Sequence, residues 1–304
     1  MSSNAYSITP YFSIVLQRCN AYLHLSKHKV VALMLLSAAV GMLMGYQAPF
    51  PWWQAVASLA GIGLVAAAGG ATNQIIDMQR DQAMQRTKDR PLATGALSMN
   101  EAIGVAAVFG TSGTIILWLV SNPLATMLTL GAMIGYAFVY TMILKHITPQ
   151  NIVIGGINGA LPPLLGWVSL YGSISAQPLL LVLIIYTWTP PHFWALAIAK
   201  YDEYAATGTP MLPVTHGIPY TKLQIMLYTL LLSVITLLPI AIGMSGVLYG
   251  VGVVYLNARY IYLNFQLYRE TEHTYAMPSF VFSIRYLLTL FILILVDHML
   301  RGAY

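Results

Sequence analysis

The sequence predicts an all-α polytopic membrane protein, nine transmembrane helices in one bundle. Three observations carry that expectation. Of 304 residues, 58% are apolar and 8% charged, where soluble domains carry roughly 25% charged residues. The apolar residues fall in nine runs of about 20, the length an α-helix needs to cross the hydrocarbon. Lys and Arg gather on alternate connections, the asymmetry that sets membrane orientation.

The runs lie near 30–47, 53–75, 101–120, 124–144, 152–171, 178–199, 223–243, 246–267 and 279–299. The third and fourth are joined through Ser121-Asn122-Pro123 and the seventh and eighth through Gly243-Met244-Ser245, so each pair is antiparallel. Arg18, Lys27 and Lys29 precede the first run. Arg80, Arg86, Lys88 and Arg90 follow the second, Lys145 the fourth, and Lys200 and Lys222 bracket the connection after the sixth. Arg259, Arg269 and Arg285 lie around the last turn-back. The opposite connections, 47–52, 121–123, 171–178 and 243–246, hold no Lys or Arg, leaving Arg301 as the exception. The expected orientation is therefore N-terminus cytoplasmic and C-terminus outside, with 1–29 a cytoplasmic segment and 30–304 the nine-helix domain. The first long run begins at Val30 and reads as an anchor rather than a cleaved signal. A single cysteine, Cys19, excludes an intramolecular disulfide, a CxxCH haem attachment and a Cys-rich zinc site. The net charge of +5 is not gathered in one patch, so the lipid bilayer, not nucleic acid, is the expected surface partner. The second and sixth runs point the same way and are each followed by a long polar connection, which hints at an internal duplication.

The first polar stretch, Asn73 to Leu92, holds three of the nine acidic residues and four of the fourteen basic ones. Helical spacing sets Asn73, Asp77 and Asp81 at i, i+4 and i+8, about 40° apart per step and so on one face. Two carboxylates at that spacing repel unless a cation lies between them. Carboxylates with an amide suit magnesium, which also takes phosphate oxygens. Arg86, Lys88 and Arg90 follow at once, and guanidinium forks pair with phosphate. Charges placed for topology explain the arginines. They do not explain Asn73 and Asp77 at the membrane edge, where ionisable groups are costly.

The second stretch reads Trp188-Thr-Pro190-Pro191-His192-Phe193-Trp194, then Lys200-Tyr201-Asp202-Glu203-Tyr204, then Pro210-Met211-Leu212-Pro213-Val214. Asp202 and Glu203 are expected to face the first set as further metal ligands, with Lys200 on the phosphate. Pro190-Pro191 should break or kink the sixth helix. His192 is a histidine inside an apolar run. It reads as a haem ligand, a base or a hydrogen-bonding element of the bundle, the last being the commonest use of a lone histidine. Asn158 reads as packing glue. Gly69-Gly70 and Gly155-Gly156 allow close helix contacts.

Asn73-xxx-Asp77-xxx-Asp81-xx-Met84-x-Arg86-Thr87-xx-Arg90-Pro91-Leu92 resembles the first signature of the intramembrane prenyltransferases of the UbiA superfamily. Trp188-xx-Pro191-His192-Phe193, Asp202-Glu203-Tyr204 and Pro210-x-Leu212-Pro213-Val214 resemble its haem-farnesylating branch. Leu25-Ser26-Lys27 resembles that branch's entry to the first helix, with His28 where proline is usual; Glu203 stands where aspartate is common. The resemblance covers essentially the whole chain and implies nine helices in a bacterial inner membrane with the active site on the cytoplasmic side. It implies farnesyl diphosphate and haem B as substrates, Mg2+ as cofactor, and haem A synthase or a terminal oxidase as a partner downstream. It also implies roles. Asn73, Asp77, Asp81, Asp202 and Glu203 would serve catalysis through the metal, and Lys27, Arg86, Lys88, Arg90, His192, Lys200 and Tyr204 would bind substrate.

A quinone-precursor acceptor is the rival within this enzyme class. A transporter or a haem-binding membrane subunit is the rival outside it. Charges crowded on one face argue against a transport pathway, and one intramembrane histidine argues against a haem-carrying subunit, which uses pairs.

Overall fold

The computed structural model describes residues 9–45, 49–85 and 87–302. Ten long helical rods follow one another, and no strand occurs among the described residues. They are α1 (Thr9–Leu25), α2 (His28–Met44), α3 (Trp52–Ala83), α4 (Met99–Val120) and α5 (Pro123–Ile147). Then come α6 (Asn151–Tyr171), α7 (Ala176–Ala199), α8 (Ile218–Ala241), α9 (Val247–Arg269) and α10 (Ala276–Gly302). Each apolar run of the sequence coincides with one of α2 to α10.

The span count differs from the expected nine. Among the described residues, seven helices are long and apolar enough to cross a membrane, and eight if α1 and α2, bent by 56°, make one span. The rod outside that count is α9, whose apolar character Tyr249, Tyr255, Asn257, Arg259, Tyr260, Tyr262 and Asn264 dilute. The segment before the first expected span contains α1, Thr9–Leu25.

Local chemistry explains the boundaries. Ser98 and Glu101 form a capping box at α4: the Ser98 hydroxyl accepts from the Glu101 N–H at 3.3 Å, and the Glu101 carboxylate accepts from the Ser98 N–H at 2.8 Å. Asn122 caps α5 ahead of Pro123, accepting from the Ala125 N–H at 2.9 Å. At the far end of the bundle Asp297, almost fully buried, accepts from the Gly246 and Tyr249 N–H groups at 2.5 and 3.2 Å and so caps α9 from another helix. Arg301, the one basic residue on that side, donates to the Gly243 carbonyl at 3.1 Å.

Two helices depart from the expected course. Pro190-Pro191 do not break α7, which runs through them to Ala199. α6 instead divides at Leu161 into Asn151–Ala160 and Pro162–Tyr171. Within α5, residues Gly135–Leu144 form a π-helix, a rare form that concentrates at functional sites.

The bundle packs small residues at its crossings and turns apolar side chains outward. A Cβ on Gly41 would strike the Pro163 carbonyl and one on Gly166 the Ala38 carbonyl, so α2 and α6 meet backbone to backbone. Trp53, Leu119, Val247 and Val251 are exposed, as lipid-facing side chains should be, while polar pairs lie inside. Asn264 donates to Thr229 at 2.8 Å and Tyr286 to Asn257 at 2.6 Å, holding α8, α9 and α10 together. In lipid, such bonds and close packing replace the hydrophobic drive between helices.

Candidate active site

The membrane-edge end of α3 carries Asn73, Asp77 and Asp81 on one face, exposed by 4%, 2% and 4%. Burial to that degree obliges each polar atom to find a partner. Three other elements supply them.

The α1–α2 elbow is the first. The Gln74 amide donates to the His24 and Leu25 carbonyls at 2.8 and 2.9 Å, and Gly70 leaves room for the Ser26 carbonyl, 3.1 Å from where a Cβ would stand. Pinned in this way, the elbow holds Lys27 at φ 53°, a left-handed backbone that non-glycine residues seldom adopt. The Lys27 ammonium donates to Asn73 Oδ1 and, at 2.9 Å, to the Tyr136 hydroxyl.

The π-helix of α5 is the second. Asn73 Nδ2 donates to Thr141 Oγ1 at 2.9 Å and to Asp77 Oδ2 at 3.1 Å. Lys145, just past the π-helix, pairs with Asp77 Oδ2 at 2.6 Å. A lysine can only donate and a carboxylate only accept, so the Asn73 amide is fixed in one orientation. Tyr136, Thr141 and Lys145 are spaced by five and four. In an α-helix a step of five overshoots one turn by roughly 140°; in a π-helix, bonded i to i+5, residues five apart lie over each other. The π geometry therefore brings all three onto the wall of the site.

The turn after α3 is the third. Lys88 N–H donates to the Met84 carbonyl at 2.9 Å, Arg90 N–H to Thr87 at 3.0 Å, and the Thr87 hydroxyl to the Asp81 carbonyl at 3.1 Å. The chain curls back and places Arg90 on Asp81 Oδ2 at 2.6 Å. Lys88 is exposed and forms no ion pair with the cluster among the described residues. Arg86 lies outside the described residues.

Two carboxylates thus face three cations, Lys27, Lys145 and Arg90. One oxygen is left over. Asp77 Oδ1 is buried with no hydrogen-bond partner among the described residues, a state that costs several kcal/mol unless a ligand completes it (about 1–3 kcal/mol for a neutral group, more for a charged one). No three His, Cys, Asp or Glu side chains gather into a metal cage among the described residues. An unpartnered carboxylate oxygen, a second carboxylate and an amide fit an open magnesium site, one that substrate phosphates complete, since Mg2+ is seldom enclosed by protein alone.

The second polar stretch is built differently. Asp202 is exposed, and Lys200 pairs with Glu203 at 2.9 Å within the same turn. Tyr204 is buried in a cluster with Met84, Ile152, Trp194, Met211 and Leu212. Met84 belongs to the first stretch and the others to the second stretch and its neighbours, so one apolar core holds both loops on the same end of the bundle. Asn151, fully buried, donates to the Thr148 carbonyl at 2.8 Å and to the Pro210 carbonyl at 3.5 Å, tying the α5–α6 connection to the second loop.

His192 belongs to a separate environment. It is buried, stacked between Trp188 (centroids 4.2 Å) and Phe280 (4.6 Å), and hydrogen-bonded through Nδ1 to Ser283 Oγ at 2.6 Å. These contacts join α7 to α10. The glycine pairs behave as expected: Gly69 faces Tyr136, and Gly155 admits the Tyr140 ring. Sequence reading missed Lys145, Tyr136 and Thr141. Lys145 was visible as a charge but explained by topology, and the other two by their place in an apolar run.

Residues 34–292 match the model of the UbiA prenyltransferase family. The chain is 52% identical over 279 residues to a protoheme IX farnesyltransferase of Stutzerimonas stutzeri, an alignment covering 92% of this chain and 93% of that one. It is 51% identical over 280 residues to the protein of the same name from Thioalkalivibrio sulfidiphilus, again over 92% and 93%. Among solved structures, a digeranylgeranylglyceryl phosphate synthase superposes with a TM-score of 0.78 at 18% identity, over 92% of this chain and 98% of that one. A UbiA homolog from Archaeoglobus fulgidus bound to GPP and Mg2+ superposes with a TM-score of 0.62 at 17% identity, over 90% and 99%. At such identities these two likenesses speak for the fold.

Proposed function

The chain belongs to the UbiA prenyltransferase family, and from that membership we propose that it transfers the farnesyl group of farnesyl diphosphate to a vinyl group of haem B. The acceptor is assigned from relatives named protoheme IX farnesyltransferase at about half identity over nine-tenths of the chain. The donor site is assigned from one observation, the buried Asp77 carboxylate with Lys145 on one oxygen and no partner for the other among the described residues.

Asn73, Asp77 and Asp81, with Asp202 and Glu203 from the second loop, would hold magnesium, which when bound supplies electrostatic stabilisation to the departing diphosphate. Lys145 and Arg90, now on Asp77 and Asp81, are released to the phosphate oxygens when those carboxylates take up a ligand. Lys27, now on Asn73 Oδ1 and Tyr136, would leave Asn73 Oδ1 to the metal and add a third positive charge at the same end. Arg86, Lys88 and Lys200 supply further cations, and Tyr204 braces the second loop from the apolar core it shares with Met84. Charges aimed at a leaving group before it departs are the strongest form of electrostatic catalysis.

Loss of diphosphate leaves an allylic farnesyl cation. The haem vinyl π electrons form the new carbon–carbon bond, water adds to the resulting cation, and a proton is lost, giving the hydroxyfarnesylethyl side chain of haem O. The apolar bundle suits both greasy substrates and limits early capture of the farnesyl cation by water. His192, clamped by Trp188, Phe280 and Ser283, braces α7 against α10, and would serve acceptor binding from that position. The protein resides in the inner membrane with residues 1–29 on the cytoplasmic side, 30–304 forming the catalytic bundle and the C-terminus outside; haem A synthase or a terminal oxidase receives the product.

The acceptor is tested by supplying membranes that contain the protein with farnesyl diphosphate, Mg2+ and either haem B or 4-hydroxybenzoate. Haem O, identified by mass, is the expected product. Farnesylated 4-hydroxybenzoate with no haem O would assign a quinone-precursor acceptor instead.

A further inference from the structure

Away from the site, α9 and α10 leave a groove of about 380 Å³ between them, lined by Gly252, Leu256, Phe282 and Leu293 with Tyr255 and Arg285 beside them. Its walls are apolar, and Tyr255 and Arg285 are exposed on the outside of the bundle, the face that meets lipid. Arg285 lies nine residues into α10 from Ala276, about 13 Å along the axis. α10 as a whole is about 40 Å long, the thickness of a bilayer with its headgroups. The guanidinium is therefore anchored below the headgroup layer, within reach of it by extending outward.

No carboxylate pairs with Arg285 among the described residues. That is unusual for an arginine in a spanning helix, which normally faces the bundle interior or a partner. Other arginines here are engaged: Arg90 with Asp81, Arg18 with Glu101, Arg301 with a carbonyl, and Arg259 over the Tyr262 ring. A five-donor planar cation at the mouth of an apolar groove matches an amphiphile with a phosphate at one end and a hydrocarbon chain at the other. Gly252 makes the groove possible, because a Cβ there would collide with Leu293.

We propose that the α9–α10 groove is a phospholipid-binding site in which Arg285 pairs with the lipid phosphate and an acyl chain lies along Leu256, Phe282 and Leu293. α9 and α10 meet through a short turn on the same end of the bundle as the polar loops, since Lys222 at the start of α8 donates to the Glu270 carbonyl at 2.6 Å. The lipid therefore belongs to the leaflet on the active-site side. The site stands apart from the diphosphate site and does not depend on the reaction assigned above.

The test uses the full chain in nanodiscs of phosphatidylcholine with phosphatidylglycerol, released into native mass spectrometry, alongside thermal melts. Wild-type protein is expected to retain one phospholipid adduct, Arg285→Lys to retain part of it, and Arg285→Gln to lose about tenfold in retention while Arg259→Gln loses little. Diacylglycerol, which has the chains without the phosphate, is expected to leave no adduct. If Arg285→Gln does not fold, partial retention by Arg285→Lys carries the result. Equal retention by wild type and the folded Arg285 variants, equal loss in Arg259→Gln, or retention of diacylglycerol as well as phospholipid would overturn the proposal.

Discussion

The two polar stretches at the active-site end hold the same kinds of side chain and hold them in opposite ways. At the end of α3, each carboxylate is buried and paired with a cation from elsewhere in the chain: Asp77 with Lys145, 68 residues away, and Asp81 with Arg90 across a turn. In the second stretch Lys200 and Glu203 pair within one helical turn, with side chains exposed by 39% and 21%, and Asp202 is exposed. One half is fixed by long-range contacts before any substrate arrives. The other is held by an apolar anchor at Tyr204, with Asp202 exposed and the Lys200–Glu203 pair half-buried.

That contrast orders the expected effects of substitution. Asp77→Asn removes the carboxylate that carries the unpartnered oxygen, and turnover should fall at least about a thousandfold, equivalent to some 4 kcal/mol of transition-state stabilisation. Product formation in membranes with equal protein content measures it. Next comes Lys145→Gln, which leaves a buried Asp77 charge without its cation. Removing one partner of a buried pair costs about 3–5 kcal/mol, so the melting temperature in detergent should drop clearly. The Asp77→Asn/Lys145→Gln double variant should recover most of that loss, and a double variant no more stable than Lys145→Gln alone would refute the pairing.

Asp202→Asn should be milder. Its side chain is exposed, so the melting temperature should hold while KM for farnesyl diphosphate rises about tenfold at nearly constant kcat. Lys200→Gln is the smallest of the four. A partly exposed pair within one helical turn contributes roughly 0–1 kcal/mol, and the expected change is a KM shift of a few-fold with little change in melting. A large loss of stability in either variant would erase the distinction between the two halves.

Much of this was legible in the sequence, for definite reasons. A span of about 20 apolar residues declares itself by composition, and i, i+4, i+8 spacing put Asn73, Asp77 and Asp81 on one face of a helix that in fact continues to Ala83. What could not be read was which cations would meet them. Lys145 lies at a helix end where any membrane protein keeps a basic residue, so its charge carried no further information. Tyr136 and Thr141 reach the site because Gly135–Leu144 winds as a π-helix, and no α-helical period places them together. Pro190 and Pro191 left a break or a kink open, and of the two the break does not occur: α7 continues through them to Ala199. The second stretch was expected at the same end of the bundle as the first, and the shared burial of Met84 and Tyr204 ties the two loops to each other.

The most direct test of the central claim, that the α3 cluster is where the allylic diphosphate is ionised, is diphosphate release. Purified wild type, Asp77→Asn and Asp202→Asn would be supplied with farnesyl diphosphate, Mg2+ and haem B, and released diphosphate counted against haem O formed. The expected result is matched release and product in wild type, a reduced but matched yield in Asp202→Asn, and no release above background in Asp77→Asn. Release by Asp77→Asn at the wild-type rate would contradict it.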